Sequence, residues 1–439
     1  MSDASSLAQG VSTAIDEAVR LYPGPLAEPV RRHALHVVAD TIGVSLGGGR
    51  TREMTRLREA QLPGAAAPDG ATVLAPGAAA TTAEEAAFLN ATAGSFLELD
   101  EGMRPTGHPG MHIVPAALAA AEVTHRSGSE LLGAVVAGYE VAARLLTAFR
   151  LTPPTHPHGH LAGVGAAVAV ALLLDEDPAA VAAIAATTPT VPVWNACYEG
   201  ATARNTAMGL AAQNALRAVR LHRAGFRGSR ESVGALFGQV TGQVVAADAL
   251  TAELDPADPA ILRNYFKRHS ACALTHGAVD AVLSLPPVPV ERISSVEVRT
   301  VANNLKLDRQ AAPNDLSSRF SLPYAVAAAL TARASEVSTF DYRPPVAELA
   351  RRVSITVDAE LELQWPHHSP TQVVVHAGRR LEASVADPRG HHHDPLTADE
   401  LHAKFLALAG APGPRLWDRL LDLDRAPDVA GVLEPLRRP

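Results

Sequence analysis

Cysteine is scarce in this chain. Two occur in 439 residues, Cys197 and Cys272, far apart and with no C-x-x-C pair. That excludes a disulfide framework, a zinc ribbon and an iron–sulfur cluster held by cysteines alone. Aromatic residues make up only 4% of the chain; long Ala/Leu/Val stretches stand in their place and favour tightly packed helices. There is no basic excess. The formal net charge of −8 argues against non-specific binding to nucleic acid or a membrane surface. The opening MSDASSLAQGVSTAIDEAVRLYPG has no basic segment followed by an apolar one, so a cytoplasmic protein is expected. HLAGVGAAVAVALLL (160–174) is apolar but too short to span a bilayer, and with Gly165 and its alanines it reads as a buried core helix. IGVSLGGGRTREM (42–54) is glycine-rich but follows a helix. It fits neither G-x-G-x-x-G nor the P-loop, which disfavours nucleotide binding.

What is present is enough for a large core: 47% of residues are hydrophobic and 19% charged. The length suggests two or three domains. Helical periodicity is expected over 28–48, 81–96, 129–149 and 201–225, with threonine or serine caps and glycine stops. Near 287 the pattern changes. VERISSVEVRTV, RRVSITVDAEL and TQVVVHAGRRLEASV show the period-2 alternation of half-buried strands, the last as a hairpin turning at AGRR. A helix entered through proline, 321–332, lies between them. PGAAAPDGATVLAPGAAA (63–80) reads as a surface loop with a short strand. The expected class is mainly α. A large helical domain (1–264) is interrupted by a smaller α+β domain (265–390), and the chain returns to the helical domain over 391–439.

Four stretches carry candidate chemistry. FLELDEGMRPTGHPGMHIVPAALAAAE presents Glu98, Asp100, Glu101 and His108 just before a helix that must be buried. The plain alternative is a solvated acidic loop with a capping histidine. Catalytic groups favour loops on rigid scaffolds. PPTHPHGHLAGVGAA repeats the design with His156, His158 and His160. Its Pro and Gly make a turn, so the three are not expected to converge on a metal; one catalytic histidine, His156, with the others exposed, is the expectation. NYFKRHSACALTHGAVD places Lys267, His269, Cys272 and His276 before an apolar helix. Lys267 suits carboxylate binding, or base chemistry if burial lowers its pKa; a surface lysine at a domain junction is the plain reading. RGHHHDP (389–395) has three adjacent histidines that should project in different directions from an exposed loop, and no catalytic role is expected there.

Three of these stretches together resemble one family. LELDEG…GHPGMHIVPAALAAAE is similar to the acidic motif, His-Pro and helix of the MmgE/PrpD family, which includes 2-methylcitrate dehydratase. THPHGHLAGVGAA resembles its H-P-x-G-x-x-G segment. KRHSACALTHGAVDA followed by SSRFSLPYAVAAAL resembles its K-x-Y-P-x-C-x-x-T-H and F-S-x-x-Y-x-x-A motifs. The likeness runs over nearly the whole chain in the same order. It implies that the α+β domain is a lid, and that the protein is a homodimer, requires no cofactor or metal, and acts on a small polycarboxylate. It maps the functional positions onto Glu98, Asp100, His108, His156, Lys267, His276 and Tyr324, with Cys272 beside them. Arg204 stands where the family has a lysine, and Ala207 where it has a histidine. Arginine keeps the charge and grips a carboxylate in two places but cannot carry a proton.

The implied activity is a hydro-lyase. Proton abstraction next to a carboxylate expels a hydroxyl from a di- or tricarboxylic acid. Arg204 and Lys267 bind carboxylates, His108 or His156 moves the proton, and Tyr324 or the other histidine protonates the leaving group. An epimerase or decarboxylase on the same site, or an inactive scaffold, are the alternatives.

Overall fold

The computed structural model describes residues 3–22, 24–62, 70–75, 77 and 80–437. The chain is mainly helical with small sheets. Helix α1 (Glu28–Gly48) occupies the expected span, entered through a proline with Glu28 in its first turn. Helix α2 (Ala83–Ser95) is capped by Thr82, whose side chain accepts from the Glu85 N–H. Helix α3 (Pro109–Val123) starts immediately after His108 and passes through Pro115. Helix α4 (Gly128–Ala148) opens on a capping box made by Ser127 and Glu130. Helix α5 (Leu161–Leu173) is buried along its whole length. Helix α6 (Thr206–Arg223) follows a short 3₁₀ turn, Thr202–Asn205.

These helices pack on one another because their contact faces carry small residues. A Cβ on Gly138 of α4 would sit 2.6 Å from the Gly165 carbonyl oxygen of α5, and one on Gly165 would sit 2.3 Å from the Gly138 oxygen. The two backbones touch, and only glycine fits at the crossing. Helix α4 is long and apolar enough to cross a bilayer, yet 94% of its apolar stretch is buried inside the fold.

Within 63–80, residues 63–69, 76, 78 and 79 lie outside the described residues. Ala71 bridges to Thr81. Residues 71–75 are buried rather than on the surface, because the Thr72 N–H and hydroxyl both donate to Glu122 of α3.

Among the described residues two large hydrophobic cores hold most of the buried side chains, beside a small cluster of Met54, Val73, Ala75, Phe88, Leu89 and Ala93. The first gathers residues from Leu7 to Phe266 and then Leu396 to Leu436. The second gathers Cys197 and residues from Ala271 to Ala377. The second is built on a four-stranded sheet of β1 (Ser295–Thr300), β2 (Val353–Val357), β3 (Thr371–His376) and β4 (Arg380–Val385), in the order β2-β1-β3-β4. β1 and β2 are parallel; the other pairs are antiparallel. The β3–β4 hairpin turns through Gly378, whose φ of +74° glycine adopts without strain. Strand β1 alternates strictly, with Val296, Val298 and Thr300 buried. Helix α7 (Leu322–Ala332) runs through this core, capped by Ser321. Helix α8 (Ala398–Ala409) brings the chain back against α1.

A two-residue ladder sets the site. Gly102 pairs with Tyr265 and Met103 with Asn264, antiparallel. It ties the acidic loop before α3 to the segment that carries Lys267 from the first core into the second.

Candidate active site

The acidic loop is held from beneath. Glu101 is buried and accepts from the Gly110 N–H, the Tyr139 hydroxyl at 2.8 Å and the Asn264 amide at 3.2 Å. Burial pushes its carboxyl up to about 7 in spite of those donors. Glu98, three residues earlier, has a φ of +50°. A non-glycine residue there is strained, and strain of this kind gathers at functional sites.

Lys267 is fully buried. Its Nζ lies 3.2 Å from Asp100 Oδ1 and 3.5 Å from Glu98 Oε2. Burial alone would lower its pKa, but the charges of Asp100 and Glu98 raise it instead. Burial would likewise raise Asp100; Lys267 and His108 overcome that and hold it well below the carboxylate range. Lys267 therefore remains a cation, not the base that a lowered pKa would have made, and not a surface lysine at a junction. Arg204 is also buried. It pairs with Glu98 Oε1, donates to Asn205 Oδ1 at 2.7 Å, and lies 4.9 Å over the Phe320 ring. Burial disfavours its charge, and Glu98 more than restores it.

The histidines fall into two sets. His112 and His160 are structural. His112 receives the Gly159 N–H on Nε2 at 2.8 Å and donates from Nδ1 to the His108 carbonyl at 2.7 Å, which ties the two histidine loops together. His160 caps α5 by accepting the Leu161 N–H. Burial pushes both down to about 4. Gly159, with φ +89° and backbone oxygens of Thr190 and Ala207 against it, lets the loop turn between them.

His108, His156 and His158 face one another. Ring centroids are 5.0 Å apart for His108–His158 and 4.2 Å for His156–His158, and His156 packs 4.3 Å from Trp194. Contrary to expectation, His158 and His160 are buried, not exposed, because the loop folds under the start of α5. Burial first, then the charge of Arg204, holds His156 and His158 well below the usual imidazole range. Both stay neutral, and the buried Nδ1 of each has no partner among the described residues. His108 differs. Its Nδ1 lies 2.8 Å from the Glu101 carbonyl and 2.8 Å from Asp100 Oδ2. Two acceptors there require the hydrogen on Nδ1, so in the neutral ring it is Nε2 that carries the lone pair.

These groups line one narrow cavity, with about 60 Å³ of open space. Its wall brings together Glu98, His108, His156, Arg204, Lys267 and Cys272 from the sequence expectations, with Asp100 behind Lys267 and His108. It adds His158, Tyr265, Arg104, Asn303, Lys306, Trp194 and Phe320. Cys272 is a buried thiol, raised by burial. Glu98 and Asp100 offset Lys267 and Arg204. Arg104 and Lys306 face no carboxylate in the cavity: Arg104 Nη2 donates to Ser369 Oγ at 3.3 Å and Lys306 Nζ to Asn303 Oδ1 at 2.7 Å. The cavity thus carries two more cations than carboxylates; Arg104 has Asp387 near it, outside the lining. The whole chain has three lysines, Lys267, Lys306 and Lys404. Two line this cavity, and that rarity was the signal by which Lys306 could have been found. No motif marks Arg104 or Tyr265.

Two expected site residues lie elsewhere. Tyr324 is buried in the second core at the start of α7. Its hydroxyl donates to the Asp341 carbonyl and accepts the Arg343 N–H, each at 2.7 Å, and its ring stacks on Tyr342. It does not line the cavity, where the resemblance had implied a proton donor. His276 is buried against His269, with Nε2 3.2 Å from the Ala271 carbonyl. The triple histidine also differs from expectation. His391 is buried and His392 partly so, while His393 is exposed as expected; the three rings converge rather than splaying, with centroids 3.9 to 5.0 Å apart. The chain doubles back at Gly390, φ +98°, whose carbonyl accepts the Phe266 N–H.

An oriented imidazole, buried donors and an excess of cations are the components of proton-transfer chemistry on an anion. The chain belongs to the MmgE/PrpD family: its N-terminal domain model matches residues 18–241 and its C-terminal domain model residues 269–419. Among curated proteins, the cis-aconitate decarboxylase of Homo sapiens is 26% identical over 363 residues, covering 74% of this chain and 72% of that protein. The Mus musculus cis-aconitate decarboxylase is 24% identical over 365 residues, covering 74% and 71%.

Proposed function

We propose that this protein is a cofactor-independent hydro-lyase acting on a di- or tricarboxylic acid. The observation that carries this reading is His108, oriented through Nδ1, in one cavity with two cations, Arg104 and Lys306, that no carboxylate of the lining pairs. The cations hold carboxylates. His108 Nε2 takes the proton from the adjacent carbon. Lys267, kept charged by Asp100 and Glu98, stabilises negative charge as it develops and does not itself titrate. The Tyr265 hydroxyl, which makes no hydrogen bond within the described residues, protonates the departing hydroxyl. His156 and His158 offer neutral donors to the substrate. A polycarboxylate partner, a homodimeric state, a cytoplasmic location and no engagement of nucleic acid or membrane go with this reading. So does a lid role for the second core, which supplies Cys272, Lys306 and Phe320 to the wall.

The second reading is decarboxylation, favoured by the two similar decarboxylases. The same cations would hold the carboxylates that stay while carbon dioxide leaves. The two are separated by proton NMR of the protein with a panel of hydroxylated and unsaturated di- and tricarboxylates in D2O. Loss of water from a hydroxy acid supports the first, release of carbon dioxide the second. Neither product and no deuterium exchange on any acid overturns both.

A further inference from the structure

A second cluster of chemistry-bearing side chains lies outside the cavity, where the second core hands the chain back to the first. His368 precedes β3, Asp387 follows β4, and His393 lies on the return segment before α8. Nδ1 of His368 is 2.6 Å from Asp387 Oδ2, and Nδ1 of His393 is 3.2 Å from the same oxygen. One ligand atom from each of the three lies within 4.8 Å of the others. His391 approaches the other carboxylate oxygen, with Nδ1 3.4 Å from Asp387 Oδ1. Among the described residues, Nε2 of buried His391 has no partner, nor does Nδ1 of the neighbouring His392. Asp387 is anchored in turn, since its Oδ1 accepts the Ser369 N–H at 3.0 Å.

We propose that His368, Asp387 and His393 form a binding site for one divalent transition-metal ion of the zinc type. Imidazole and carboxylate without thiolate suit zinc, nickel or copper and not magnesium, which takes oxygen ligands. The ion takes the place of the hydrogens now shared with the carboxylate. Each imidazole binds through Nδ1 and carries its hydrogen on Nε2. Ligand atoms at bonding distance to a tetrahedral ion lie about 3.3 Å apart, from metal–ligand distances of about 2.0 Å, so the His393–Asp387 pair at 3.2 Å already fits and the His368–Asp387 pair at 2.6 Å opens by about 0.7 Å. His392 or water completes the set. This departs from the reading of RGHHHDP as divergent side chains on an exposed loop. The missing ligands, His368 and Asp387, are distant in sequence and are brought there by the β3–β4 hairpin. The ion sits behind Arg104, which contacts Ser369, and not in the cavity. It staples the hairpin to the return segment and takes no part in proton transfer, so the proposal stands apart from the reaction assigned above.

The test is isothermal titration of the full-length, EDTA-dialysed protein with ZnCl2 at pH 7.5, beside a thermal-unfolding series with and without zinc. One saturable site per chain is expected, with Kd below about 1 μM and a zinc-dependent rise in Tm. His393→Ala and His368→Ala should each weaken binding by at least about 10-fold and remove the Tm rise. His125→Ala, which breaks a His–Asp pair lacking a third ligand, should bind as the wild type does. Magnesium chloride should give no heat of binding. Wild-type protein without a saturable site overturns the proposal, as does undiminished zinc affinity in both the His393→Ala and His368→Ala proteins.

Discussion

His108 Nδ1 lies 2.8 Å from Asp100 Oδ2, and Asp100 in turn lies 3.2 Å from the ammonium of Lys267. One carboxylate thus sets the tautomer of the imidazole and fixes the charge of the lysine. Replacing the imidazole with a side chain of similar reach that cannot take a proton, His108→Gln, should lower kcat by about 10²–10⁴-fold with KM little changed. Steady-state kinetics on whichever acid proves active would decide it, and a variant retaining most of its kcat removes His108 from the chemistry.

Lys267 supports the fold as well as the reaction. Lys267→Ala leaves Asp100 without its nearest cation and Glu98 with only Arg204, all in a buried space. Uncompensated buried charge costs about 3–5 kcal/mol. Urea unfolding should show that loss, and adding Asp100→Asn should recover part of it. Equal stability of Lys267→Ala and wild type contradicts the buried triad.

Arg104 and Lys306 should govern substrate binding. Each loses a charge-assisted hydrogen bond of about 1.5–3 kcal/mol when truncated, so Arg104→Ala and Lys306→Ala should raise KM by about 10–100-fold and change kcat less. An unaltered KM in both would show that the carboxylates bind elsewhere. Arg204→Lys probes a different contact, the grip on Glu98. It keeps the charge but loses the fork, and its effect should fall on kcat through the position of Glu98.

Glu101 makes stability depend on pH. Its folded carboxyl is raised to about 7 from 4.5. The folded state therefore holds a proton that the unfolded chain has released. The associated stability is full below pH 4.5 and is lost as pH rises through 7, by on the order of 3 kcal/mol. Chemical denaturation between pH 5 and 8 should show this decline, and Glu101→Gln should flatten it. A decline of the same size in the variant assigns it to another group.

The proposed reaction gives Tyr265 the proton-donor role that the motif suggested for Tyr324. Tyr324→Phe removes hydrogen bonds to Asp341 and Arg343 and should cost about 1 kcal/mol of stability with turnover retained. Tyr265→Phe should instead lower kcat. The opposite outcome, with Tyr324→Phe inactive and Tyr265→Phe unaffected, would restore Tyr324 to the reaction.

Local signals in the amino-acid sequence determine much of this protein. Helix α1 runs over the expected residues, α7 starts at its serine cap and proline, and the β3–β4 hairpin turns at its glycine, because period, caps and turn residues act over a few neighbours. The motif pattern likewise marked His108, His156, Lys267, Glu98 and Arg204, and the family is shown by the whole chain. Tertiary structure decided the rest. Whether Lys267 is a base or a fixed cation depends on Asp100 and Glu98, more than 160 residues away. Whether His158 is exposed depends on how its loop folds beneath α5. Tyr324 carries the right motif, but it is buried in the second core and does not line the cavity, while unmarked Tyr265 is brought in by a two-residue ladder. His393 meets Asp387 and His368 only because a hairpin folds back on the return segment. Side-chain direction and the company of distant charges are properties of packing, and sequence spacing carries neither.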